Sequence, residues 1–141
     1  MGYSYSNNSR NNNGCYGPTN KGKFYKPMFY HSKGAAFKKG KTRWIIPENG
    51  EYEVFKISNE GDWICKKNDG YFSLVSQCAE ILGDNNERLA FFPQTVNPND
   101  PYHGYPVSSQ DYPPSDALVD QWYREKVIDE VTKRRIERRV I

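Results

Sequence analysis

Aromatic and basic side chains alternate through the first third of the chain: Lys23, Phe24, Tyr25, Lys26, Phe29, Tyr30 and Lys33, then Lys38, Lys39, Lys41 and Arg43. Cations neutralise phosphates and flat rings stack on unpaired bases, so this mixture suits RNA or single-stranded DNA. No ribonucleoprotein signature, zinc finger or K-homology loop accompanies it. The expectation rests on composition, and a solvated lysine-rich tail is the plainer reading of the same residues.

His103 is the second group with chemical potential. It lies between rings and prolines in Asp100-Pro101-Tyr102-His103-Gly104-Tyr105-Pro106. A histidine there can exchange protons, with Asp100 to orient it and Arg124 to hold an anion, the outline of a small metal-independent nuclease or toxin-like enzyme. The plainer reading is that its ring donates to a backbone carbonyl and pins the loop, with Gly104 supplying a positive φ. Tyr102, Tyr105 and Tyr112 in the same stretch make a third candidate, a contact surface for a protein partner. Cys15, Cys65 and Cys78 with His31 and His103 form no zinc spacing, and no acidic run matches a calcium loop. Phosphate-cradling glycine loops and nucleophile elbows are missing from the sequence. Neither a metal nor a cofactor is expected.

These groups must be carried by a small body. The chain has 141 residues, 36% of them hydrophobic, but 15% are aromatic, including eleven tyrosines. Large rings must therefore supply much of the core. Charge is divided along the chain: residues 1–47 hold nine basic and no acidic side chains, residues 48–129 hold 15 acidic and six basic, and the last twelve are basic again. The basic arm either meets an external polyanion or folds back on its own acidic body. No apolar run approaches the length of a membrane span, and the first residues lack the pattern of a secretory leader. With an odd number of cysteines, this sets the expectation of a cytoplasmic protein.

The sequence divides into a flexible basic arm over 1–41 and one α+β domain over 42–141. Short strands are expected at 43–46 and 51–57, joined by an Asn49-Gly50 hairpin, with further strands near 62–66 and 71–74. This turn-rich meander has the look of a small SH3-like or curled sheet. Leu74, Val75, Cys78, Ile81 and Leu82 fall at helical spacing, so a covering helix is expected at 74–82. A strand follows at 88–92. Six prolines in 93–114 exclude regular structure there and leave a long Pro/Tyr loop. Ser115 suits the N-cap of a C-terminal helix, and Asp129 a second cap. The whole is an antiparallel sheet of four to five strands with one covering helix, a C-terminal helix and a basic arm in front. The function read from it is a non-enzymatic binding protein whose arm engages an anionic partner.

Overall fold

The computed structural model describes residues 2–35 and 42–141. It is an α+β arrangement around a four-stranded open antiparallel meander, ordered β1 (Ile64–Cys65), β2 (Gly70–Ser73), β3 (Leu89–Pro93), β4 (Tyr105–Val107). Helix α1 (Glu48–Glu60) precedes the sheet; α2 (Asp116–Arg124) and α3 (Glu130–Glu137) follow it.

Side chains alternate across the pleat, so the central strands feed two cores. Phe72, Leu89 and Phe91 face one way, onto Leu118, Val119, Trp122 and Ile136 of α2 and α3. Tyr71, Ala90 and Phe92 face the other way, onto Val54 and Phe55 of α1 together with Trp44, Tyr25 and Tyr102. The register that sets this is Tyr71 opposite Phe92 and Phe72 opposite Phe91. A one-residue slip would exchange the two cores completely. Both faces of the sheet are covered, not one.

Helix α1 stands where the Asn49-Gly50 hairpin and the 51–57 strand were expected. Pro47 is its extended N-cap residue, and Glu48 and Glu51 occupy the first turn, where carboxylates suit the helix dipole. Its buried stripe is Glu51, Val54, Phe55, Ser58 and Asn59, a helical period half hidden by polar residues. Each of the polar three has an internal partner: Tyr25 for Glu51, the Phe55 carbonyl for Ser58, and Thr19 for Asn59. Gly50 packs closely, since a Cβ there would lie 3.1 Å from the ring of Tyr5 and 3.3 Å from Ile46 Cδ1.

Two further expectations change. The 74–82 segment holds only a 3-10 turn, Ser76–Cys78, with positive φ at all three residues. The reason lies in the cores: Leu74 and Cys78 enter one, Val75 and Leu82 the other, and no single helix face can serve both. The proline-rich stretch contains β4, with Pro106 inside it. This is tolerated because β4 is an edge strand, where the missing N–H removes no ladder bond. Ser115 and Asp129 do cap α2 and α3, accepting from the amides of Leu118 at 3.3 Å and Thr132 at 2.8 Å. Ser115→Ala is expected to cost about 1 kcal/mol, read as a lower urea midpoint at unchanged slope.

The segment at 2–35 lies against the body. Tyr16 and Tyr25 exchange backbone hydrogen bonds of 2.8 and 2.9 Å, and Tyr25 bridges in parallel to Tyr102. Basic side chains meet acidic ones across this contact: Arg10 with Glu48, Lys21 with Asp62, and at the start of the body Arg43 with Asp84 at 2.7 Å. Exposed pairs of this kind contribute about 0–1 kcal/mol each. The larger share comes from the rings: Tyr25 is fully buried against Phe55 and Phe92, and Tyr16 stacks on Tyr52 at 5.7 Å.

Candidate functional site

The N-terminal segment and the Pro/Tyr loop run side by side and are tied by four hydrogen bonds. The Tyr102 amide donates to the Phe24 carbonyl at 2.8 Å and the Lys26 amide to the Tyr102 carbonyl at 2.9 Å. His103 Nδ1 donates to the Lys26 carbonyl at 2.8 Å, and Lys23 Nζ to the Pro98 carbonyl at 3.0 Å. Beyond this seam the two segments diverge around an open cleft of ≈ 800 Å³. One wall is residues 26–29, the other residues 93–96 with Asp100, Pro101 and His103, and Arg10 and Glu48 complete the lining.

The walls are mostly apolar. Pro27, Met28, Pro93 and Pro101 line them, and two large apolar side chains are left in solvent, Phe29 at 79% and Val96 at 94%. Charge of both signs accompanies them: the Arg10–Glu48 ion pair, exposed Lys26 and exposed Asp100, which accepts from Asn97 Nδ2 at 3.3 Å.

Next to Glu48, and fully buried, lies Glu51. Tyr25 donates its hydroxyl to Glu51 Oε1 at 2.8 Å, while Oε2 has no partner. Burial pushes this carboxyl up to about 8, with the neighbouring Glu48 charge adding to the rise and the Tyr25 hydroxyl opposing it. At neutral pH the side chain is a buried acid in its neutral form.

Of the residues singled out from sequence, Lys23, Phe24, Tyr25, Lys26 and Phe29 belong to this seam or its wall, in different conditions of access, and Tyr30 follows the wall directly. Tyr25 is spent in the core, Lys23 on Pro98, and Phe24 is half-buried. Lys26, Phe29 and Lys33 are exposed, and Tyr30 packs edge-on between Phe29 and His31. Arg43 is held by Asp84 and by the Ala35 carbonyl. Lys38, Lys39 and Lys41 lie outside the described residues.

Asp100 and His103 line the same cleft, whereas Arg124 ends α2 and lines a separate recess with Gln77 and Lys126. With Nδ1 given to Lys26, the His103 ring pins the loop. The three loop tyrosines turn inward. Tyr102 packs on Phe55 at 4.8 Å and gives its hydroxyl to Gln94, and burial pushes it up to about 12. Tyr105 donates to Tyr112 at 3.3 Å, and both pack on Phe91. Among the described residues no group of three histidine, cysteine or acidic side chains is placed to hold a metal ion.

Glu48, Glu51, Arg10 and Val96 are the site residues that sequence reasoning passed over. The signal for the first two was present: Pro47 followed by two glutamates three apart is a helix start, but it was outweighed by the Asn-Gly turn signal.

Fold and cleft together define a small α+β protein with an open, two-signed, largely apolar groove between an N-terminal segment and a proline-rich loop. No helix among the described residues is long and apolar enough to cross a membrane. No protein-family model matches the chain, and no curated protein or solved structure matches it either.

Proposed function

We propose that the chain is a non-enzymatic binding protein that takes an extended segment of another polypeptide into the cleft between residues 26–29 and the Pro/Tyr loop. The observation that carries this reading is the placement of Phe29 and Val96, exposed on opposing walls between prolines, with cations and carboxylates both at hand. Exposed apolar groups beside prolines and mixed charges suit a peptide's alternating side chains. A nucleic acid would be repelled by Asp100 and Glu48, and three basic side chains that might meet it are already paired with the body. Exposed Phe29 flanked by Lys26 and Lys33 supports a second reading, single-stranded RNA or DNA laid along the same wall.

The test is selection of linear peptides from a random display library on the full chain, followed by anisotropy titration of the selected peptides and of labelled oligo-uridine. Phe29→Ala and Val96→Asp, both at exposed positions, are expected to weaken the peptides by about tenfold or more while leaving the melting curve in place. Peptides that bind these variants as well as the native chain would place the contact elsewhere. Oligo-uridine binding that falls linearly on a log–log salt plot, with no peptide selected, would support the second reading instead.

A further inference from the structure

Helix α3 carries two exposed stripes of very different charge. Glu130, Arg134 and Glu137 recur at helical spacing along one, and their charges are met within the helix: Arg134 pairs with Glu130 at 2.7 Å and Lys133 with Glu137 at 2.8 Å. Val131, Arg135 and Arg138 recur at the same spacing along the other, all three exposed. Neither of these arginines has an ion-pair partner among the described residues. The carboxylate of Asp129 is spent as well, accepting from the Thr132 amide at 2.8 Å.

A third guanidinium reaches the second stripe from outside the helix. Arg88, immediately before β3, donates Nη1 to the carbonyls of Cys78 and Ala79 at 2.9 and 2.8 Å. Burial pushes the Cys78 thiol up to about 12, and the charges of Arg88 and Arg135 both oppose that rise, so the two guanidiniums flank one side chain. Arg88 also lacks an acidic partner among the described residues, and the carbonyls fix its orientation. The helix dipole explains basic residues in the last turn of α3. It does not explain a cation brought to them from another element, since like charges without a carboxylate between them repel.

We infer that Arg88, Arg135 and Arg138 form a docking surface for the phosphate backbone of double-stranded nucleic acid. The surface lies on the side of the sheet covered by α2 and α3, whereas Tyr25 and α1 cover the other. The carboxylates of Glu48 and Asp100, which would repel a polyanion, line the peptide cleft and not this stripe.

The partner follows from what the surface offers and what it lacks. Guanidinium forks match the paired oxygens of a phosphate. Single strands are held largely by stacking on rings, and no ring stands in this stripe. The exposed Tyr123 lies beside the first stripe, with Lys133 Nζ 5.9 Å from its ring centroid. A helix lying on a bilayer needs an apolar face. Here Ile136 is spent in the core, and only Val131 and Val140 are left exposed. A duplex presents its phosphates outward and asks for neither rings nor an apolar face.

The test is anisotropy titration of the full chain against a labelled DNA duplex of about 20 base pairs over a salt series. Three phosphate contacts predict weak binding, with Kd on the order of 10⁻⁴–10⁻⁶ M, and a log–log salt slope of about −2.7. Arg88 also holds a turn, so the exposed pair is the deciding variant. Arg135→Gln with Arg138→Gln is expected to weaken the duplex at least about tenfold at low salt and reduce the slope to about −0.9, with the melting curve unchanged. Lys21→Gln with Lys56→Gln removes the same charge from the α1 side and should change the affinity by less than about twofold. Equal losses in the two double variants would reduce the effect to net charge and overturn the surface. No duplex binding at low salt overturns it, as does tighter binding to the unpaired strand. Capture by phosphatidylserine vesicles with no duplex bound would assign the stripe to a membrane instead. No peptide enters these titrations, so their failure leaves peptide capture standing, and failure of peptide capture leaves them intact.

Discussion

Gly104→Ala is expected to destabilise the protein by about 3 kcal/mol, at the upper end of what an added methyl group costs in a packed core. A Cβ at this position would stand 2.0 Å from Cδ1 and 2.4 Å from Cε1 of Phe92, and 2.8 Å from the carbonyl oxygen of Phe91. The ring has little room to turn, since Phe55 sits at 5.3 Å, Tyr25 at 5.8 Å and Trp44 at 6.1 Å between centroids. The carbonyl belongs to the central strand β3 and is held by its ladder. The loop must therefore lift, which also moves the Gly104 carbonyl from the Trp44 indole that donates to it at 3.2 Å. Urea denaturation measures the loss, and a cost below about 1 kcal/mol would mean that the loop does not rest on Phe92. The sequence suggests a glycine needed for positive φ. The structure gives close approach instead, because Gly104 is not among the glycines in the left-handed region.

Glu51→Gln should make the protein more stable at neutral and alkaline pH and leave it unchanged in mild acid. The folded state raises this carboxyl from 4.5 to about 8. Between those values the folded chain keeps a proton that the unfolded chain has lost. Stability therefore falls as pH rises through that window and levels off above it. At about 1.4 kcal/mol per unit of pKa, the full difference is on the order of 5 kcal/mol, and an amide that cannot ionise avoids it. Melting temperatures of the two proteins, measured from about pH 5 to about pH 9, should coincide at the acid end and separate steadily above it. Parallel curves would show that Glu51 is already ionised in the folded protein or has found a partner.

Much of this protein is legible in its sequence because the signals are local. Gly-terminated turns around Asn68-Asp69-Gly70, the apolar run at 89–92, the cap at Ser115 and the cap at Asp129 each depend on a few neighbouring residues, and each stands where the residue types put it. The α+β class, the antiparallel meander and the C-terminal helices follow from those. The possibility that the basic segment meets the chain's own acidic body was equally present in the charge division, and Arg10, Lys21 and Arg43 realise it.

What the tertiary structure alone decided concerns residues whose role depends on distant partners. Helix α1 was hidden because its buried stripe includes Glu51, Ser58 and Asn59, polar side chains that look solvent-facing until Tyr25 and Thr19 arrive to satisfy two of them. The 74–82 segment was misread because helical spacing records only that apolar residues recur, and here they recur into two different cores. The cleft belongs to neither segment that lines it. It exists because Tyr25 and Tyr102 bridge residues 77 positions apart, and burial of large rings on one face of a sheet is what brings them together. Local sequence carries turn and cap chemistry, while the hydrophobic effect, which has no direction along the chain, chooses which distant surfaces meet.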